Sequence, residues 1–478
     1  MMSRIPRWLM MGLCMVAALP AVAARPGAGA SVSVSVSAAA RAGVPLDVRT
    51  RDAPAHSGPV LIRDATVFDG RGGMLQPGSV LLVDGRIAEV GAVVAAPAGA
   101  QIIDGRGKWV TPGIIDVHSH LGAAPQPSVR GHGDINETSG PIQPGVRVED
   151  GIWPQDPGFS RALAGGVTAM QILPGSANLI GGRTVVIKNV GARSVAEMKF
   201  PGAAPGVKMA CGENPKTTYN LGRGWGTLGV APTTRMGNFK LVRSAFIEAQ
   251  RWRDGQRDAA DIDWTLVGGE LGLQTLLGIL RGEVVVHVHC HRADEMALMM
   301  TLASDFGFRI GAFHHAPEAY KIADLLAREG VCAALWSDWW GYTMESLDAV
   351  PENLPMTQHA GACAMIHSDH AIGIQHLNQE VASALADGRA MGFTIDDAKA
   401  WEWLSLNPAR LLRIDDRVGT LESGKMGDVV LWDGHPFSIY TRAEKVYIDG
   451  ALAYSRTDPV RLPLDDFELG LSEREDLQ

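Results

Sequence analysis

Between about residues 112 and 415 the chain alternates short apolar runs with helical segments, and this alternation limits the folds open to it. Strand-type runs occur at GIIDVH, GVTAMQIL (166–173), GVKMAC (206–211), VVVHVH (284–289), RIGAFHH (309–315), VCAALW (331–336) and ACAMIHSD (362–369). Helical segments are expected at Arg235 to Arg253, Ala293 to Ser304, Tyr320 to Glu329 and Gln379 to Met391. Such alternation predicts an α/β parallel architecture, with a closed (β/α)8 TIM-like barrel as the leading form. Seven strands are clear. The eighth is placed within residues 184–200, at TVVIKNV, either as a barrel strand or as part of an inserted hairpin.

The two flanks read differently. PVLIRDATVFDG, GSVLLVDGRIAEVG and AQIIDGRGKWV are alternating runs broken by Asp-Gly turns, and GDVVLWDGHPF and AEKVYIDGALAYS repeat the pattern near the far end. This is a hairpin signature. The expected organisation is a composite β-sandwich from residues 59–111 plus 416–460, with the barrel, 112–415, inserted between its halves. Residues 24–58, rich in Ala, Gly, Ser and Pro, are read as a flexible leader, and 461–478 as a C-terminal tail.

Residues 1–23 show Arg4 and Arg7, an apolar run from Trp8 to Leu19 and the small-residue stretch Ala21-Val22-Ala23. This is the pattern of a cleaved secretory signal, too short in its apolar part to span a bilayer comfortably. A periplasmic or secreted location is expected, with no stable membrane insertion after cleavage. Of five cysteines, Cys211, Cys290, Cys332 and Cys363 lie beyond the signal. Their wide spacing is unlike a small-domain disulfide framework, and buried free thiols are the expectation. The formal net charge of −9 and the lack of a basic stripe argue against a nucleic-acid partner.

Barrel chemistry gathers at the C-terminal ends of strands. There the chain places His118 and His120, Lys208 slightly inside its strand, His287, His289 and His291, His314 and His315, and Asp369. On a strand, residues i and i+2 share a face, so H-x-H aims two imidazoles one way. Imidazoles and carboxylates converging from four strand ends suit a divalent ion such as Zn²⁺. Asp369 is the best-placed carboxylate for proton transfer. A buried Lys208 has a purpose if it bridges two ions as a carbamate. Trp336, Trp339 and Trp340 in LWSDWWGY line an apolar pocket or pack a loop, and the glycine-rich run around Trp225 could cover the site.

These motifs carry a resemblance. TPGIIDVHSHLG, GVKMACGEN, VHCHRADEM, HAPEAYKIADLLA, HSDHAIG and the closing NPARLLRIDDRVGTLESGKMGDVVLWDG resemble the metal-dependent amidohydrolase superfamily, in its imidazolonepropionase-like and peptidase branch. The resemblance spans about residues 59–455. It implies His118, His120, Lys208, His289, His315 and Asp369 as metal ligands, with Asp369 also catalytic. It selects His315 over His314. It implies one or two divalent ions, Zn²⁺ being expected, and a carboxylated Lys208. Glu213 and Lys188 stand as rivals for the bridging role, and His287, His291, His314 and His370 are left without one. The implied activity is hydrolysis of a small-molecule amide, of a dipeptide or N-acyl amino acid, in which metal-activated water attacks and Asp369 moves the proton. A deaminase or cyclic-amide hydrolase with a single metal is the alternative. Homo-oligomerisation is left open.

Overall fold

The computed structural model describes residues 58–457 apart from 221–230, Arg257 and Trp340. All of them belong to one compact unit, Val48–Gln478. The signal, the leader up to residue 57, the run around Trp225, Trp340 and the tail lie outside the described residues.

Both flanks contribute to one eight-stranded sheet. The first supplies β1 (Val60–Phe68), β2 (Met74–Val83), β3 (Arg86–Gly91), β4 (Gln101–Asp104) and β5 (Trp109–Pro112). The inserted region carries β6 (Ile114–Ser119), β7 (Val167–Ile172), β8 (Ile180–Lys188), β9 (Gly206–Ala210), β10 (Val285–Cys290), β11 (Ile310–His315), β12 (Cys332–Leu335) and β13 (Ala364–Ile366). The far flank returns with β14 (Val429–Trp432), β15 (Ala443–Ile448) and β16 (Ala451–Ser455). The flanking strands pair in the order β16-β15-β14-β5-β1-β2-β3, with β4 beside β1. This is one continuous sheet; a division into two packed layers is not part of the described pairing.

The inserted strands form a second sheet in the order β13-β12-β11-β10-β9-β8-β7-β6. Parallel ladders join β6 to β7 and run from β9 through to β13. The exception is β8, which is antiparallel to both neighbours. The expectation of eight parallel β/α repeats is corrected here. Only residues 173–179 separate β7 from β8. A parallel return needs a crossover of a dozen or more residues, so the chain doubles back as a hairpin. The other crossovers carry helices, including Arg235–Arg253, Ala293–Phe306, Ala323–Glu329 and Leu377–Ala390.

First and last strands meet without a regular ladder. Asp369 N donates to His118 O at 2.8 Å, and the Asp116 carboxylate accepts from Ser368 N at 3.2 Å and from the Ser368 hydroxyl. The sheet is thereby nearly closed at the end that carries the histidines. No helix among the described residues is long and apolar enough to cross a membrane.

The cysteines overturn the free-thiol reading. Cys211 pairs with Cys290 and Cys332 with Cys363, at Cα separations of 5.2 and 4.5 Å. Parallel neighbours in a barrel bring together residues a whole β/α repeat apart, so wide sequence spacing does not oppose pairing.

The two sheets are joined by polar as well as apolar contacts. Trp432, from β14 of the flanking sheet, lies in one buried apolar cluster with Phe159, Val167 and Ile187 of the inserted region. Lys188, at the end of β8, is buried between Asp428 at 3.7 Å and Asp449. Lys188→Met should destabilise the protein by about 3 kcal/mol, because Asp428 would then be buried without its partner. Urea unfolding checks this, and a variant as stable as the parent would contradict it.

Candidate active site

Strand alternation delivers the site. β6 ends with His118 fully buried and His120 half-buried just beyond it. β9 carries Lys208, β10 carries His287 and His289, and β11 ends in His314 and His315. The cross-strand register sets Lys208 beside His287 and His289 beside His314. Asp369 follows β13. Both His315 (φ 67°) and Asp369 (φ 50°) hold left-handed backbone, uncommon outside glycine. Such strain persists where surrounding structure over-determines it, often at functional sites.

These residues converge. His120 Nε2 lies 2.9 Å from Asp369 Oδ1, His118 Nε2 lies 3.4 Å from the same oxygen, and His315 Nδ1 is 3.8 Å from Oδ2. Lys208 Nζ sits 3.3 Å from His118 Nε2 and donates to Pro174 O at 3.2 Å. The His289 and His315 rings are 4.7 Å apart. All six expected ligands therefore lie in one cluster.

Of the rivals, Lys188 is engaged away from the cluster at the sheet junction, while Glu213 opens a helix with its backbone N–H donating to Glu345. His291 Nε2 is 2.9 Å from the Tyr342 hydroxyl. His370 Nδ1 accepts from the backbone N–H groups of Ile372 and Gly373.

Sequence reasoning missed His367. With His118 and His315 it forms one of two groups whose ligand-type atoms all lie within 4.8 Å of one another; the other is His118, His120 and Asp369. The signal was available: His367 and Asp369 are two apart, the spacing that drew attention to His118 and His120.

Two observations test whether a cation fits. First, both ring nitrogens of His289 and of His367, and Nδ1 of His315, are buried without a hydrogen-bond partner. Such atoms are costly unless something binds them. Second, His120 Nδ1 contacts Leu173 O at 2.8 Å, and a carbonyl only accepts. That contact holds the ring with its Nε2 facing Asp369 Oδ1 at 2.9 Å, so an imidazole nitrogen and a carboxylate oxygen, both metal-ligand atoms, converge on one point. Burial, with the Lys208 charge adding to it, holds His287 and His367 down to about 3. Burial likewise holds His118, His289, His314 and His315 well below the ordinary imidazole value. At neutral pH these rings are uncharged, the form that ligates a metal. The residues fit a divalent ion.

Behind the cluster runs a buried chain of side chains. His118 Nδ1 is 2.9 Å from His314 Nδ1, and His314 Nε2 is 2.9 Å from His287 Nδ1. His287 Nε2 is 3.0 Å from Gln171 Nε2, which donates to the Thr184 hydroxyl at 2.8 Å, while Gln171 Oε1 is unpartnered. Each ring carries one proton, so the chain has a direction. Read from an amide N–H into His287, it ends with the proton on His118 Nε2, where no metal could bind. A half-turn of the Gln171 amide reverses it: Oε1 accepts from His287, His118 Nδ1–H donates to His314, and Nε2 is freed. The neighbouring Lys208 ammonium, a pure donor, asks for the same direction.

Aromatic rings cover one side. Trp336 stacks on His315 at 4.5 Å, and Trp339 stacks on Trp336 at 4.7 Å. Trp336 is buried and Trp339 is 39% exposed, so the outer ring borders the opening.

Fold and site define a barrel enzyme with a polyhistidine–carboxylate centre at its strand ends. A known amidohydrolase structure from Thermotoga maritima is 33% identical, covers 83% of this chain and 100% of its own, and superposes with a TM-score of 0.73. The amidohydrolase family pattern matches residues 343–460. Amidohydrolase tasK of Hapsidospora irregularis is 32% identical over 84% of this chain, which spans only 44% of that protein's length. An imidazolonepropionase of Mesorhizobium japonicum is 26% identical over 80% of this chain and 92% of its own. The chain belongs to the metal-dependent amidohydrolase superfamily, a family of hydrolases acting on carbon–nitrogen bonds.

His314→Ala should weaken divalent-metal affinity about tenfold by freeing the His118 ring, as loss of partners behind a ligand generally does. Competition against a chromophoric chelator measures this, and parent-like affinity would show that His118 needs no such support.

Proposed function

We propose that this protein is an exported, metal-dependent amidohydrolase that cleaves the C–N bond of a dipeptide or N-acyl amino acid, with Asp369 as general acid and base. The observation that carries the reading is Asp369 Oδ1 within 3.4 Å of both His118 and His120 at the barrel's last strand end. His118, His120, His289, His315 and Asp369 would hold the metal, and His367 is placed to join them. A divalent ion there would polarise the scissile carbonyl and lower the pKa of water from 15.7 to about 7.

The chain's own groups do the rest. Burial would raise the Asp369 carboxyl, but His120, His367 and Lys208 hold it below the usual carboxylate range. It is therefore ionised at neutral pH, ready to take a proton and return it to the departing nitrogen. Burial lowers the Lys208 ammonium to about 8, against the Asp369 charge. A share of neutral amine is then available to take up carbon dioxide, releasing a proton and leaving the carbamate that a two-ion site needs. Trp336 and Trp339 shield one wall from water and offer an apolar surface to substrate.

Export is supported by residues 1–23 and by two disulfides, which persist in oxidising compartments where peptides are also available. A cyclic-amide hydrolase or deaminase with one ion is the second reading, favoured by the imidazolonepropionase relative that this chain covers almost end to end.

The metal-loaded mature chain, screened against dipeptides and N-acyl amino acids, should release amine rather than ammonia. Asp369→Asn should lower turnover by about 10²–10⁴-fold with metal content retained. Retained activity in that variant, or ammonia as the only nitrogen product, would overturn the reading. Chelation should abolish turnover and added Zn²⁺ restore it; activity indifferent to both would exclude a metal-dependent reaction.

A further inference from the structure

A second cavity, about 210 Å³, lies beside β8 and the segment leading into β9, lined by Arg147, Glu149, Arg183, Lys199 and Phe200 among others. It adjoins the beginning of β9, where Thr184 pairs with Gly206, whereas the histidine cluster sits at the opposite ends of the parallel strands. Three cations face one acid. Glu149 is already engaged, 2.6 Å from Lys199 Nζ and 3.7 Å from Arg147. Arg183 is half-buried, and its side chain reaches the Thr275 hydroxyl at 3.5 Å. No carboxylate among the described residues lies within ion-pair distance of it. Burial and the neighbouring Arg147 press against its charge, and Glu149, beyond contact distance, offsets them only in part. A half-buried guanidinium with no carboxylate in contact is costly, and five N–H donors in a fixed fork match an oxyanion's oxygens.

We propose that this cavity binds a small oxyanion, a phosphate or carboxylate group, held by Arg183 with Arg147 and Lys199. The surplus of two positive charges suits a phosphate dianion. The volume admits such a group with a short organic portion packed on Phe200, itself buried beneath the Arg417 guanidinium at 5.6 Å. The cavity also has a route to the histidine cluster. Thr184, on its wall, is the last member of the chain through Gln171, His287 and His314 to His118.

Calorimetric titration of the metal-loaded protein with inorganic phosphate, and separately with acetate, tests the proposal. One of these should bind saturably. Arg183→Gln and Lys199→Gln should each weaken that binding at least about tenfold, the loss expected for a charge-assisted hydrogen bond. Glu149→Gln should tighten it, and Arg193→Gln, an exposed control, should leave it unchanged. Lys199 and Glu149 are partly exposed, so their variants report even where Arg183→Gln fails to fold. Absence of binding by either anion overturns the proposal. So does binding indifferent to all three cavity substitutions, which would place the anion at the histidine cluster.

Discussion

The imidazole of His118 is the point on which the site depends. One nitrogen faces Asp369, His120 and Lys208, and the other is tied through His314 and His287 to Gln171 and Thr184. A ring held from behind cannot turn away, and a ring that donates from Nδ1 must offer its lone pair from Nε2. The chain that fixes the ring is wholly buried, so its hydrogen bonds are not in competition with water. The barrel interior thus orients a ligand as well as packing a core.

That arrangement needs the first and last strands to be held together, because His118 and Asp369 come from opposite ends of the sheet. Asp116 performs this task. Burial raises its carboxyl to about 7, against hydrogen bonds from Ser368 and from the His118 backbone. The Cys211–Cys290 disulfide acts at the same rim, whereas Cys332–Cys363 ties the opposite, N-terminal ends of β12 and β13. Cys290 lies between His289 and His291, and Cys211 N–H donates to His289 O at 2.8 Å. Covalent and hydrogen-bonded ties therefore sit within a residue or two of the metal-type side chains, where loosening would be most damaging.

Much of this was legible in the sequence, for identifiable reasons. Apolar strand runs ending in His, Lys or Asp are costly unless a site explains them; they marked nine residues, and the family resemblance selected the six that the fold assembles. The Asp-Gly hairpins at both ends pointed to a composite β-domain built from both flanks, and strands of both flanks do pair, in one sheet. Other features depend on partners a linear reading does not show. The direction of β8 follows from the short link before it. The cysteine pairs follow from parallel register. His314 and His287 look like ligands in sequence, and only the register reveals that they face His118 and Gln171 instead. His367 was missed although the two-residue spacing applied to it.

The central claim is that a divalent ion is held between His118, His120 and Asp369. Anomalous scattering at the zinc edge from crystals of the zinc-loaded protein tests it directly. The account predicts a strong peak within bonding distance of His118 Nε2, His120 Nε2 and Asp369 Oδ1, with a second peak toward His289 and His315 if Lys208 is carboxylated. A zinc-loaded crystal with no peak among these atoms, or with its peaks only at surface residues, would contradict it.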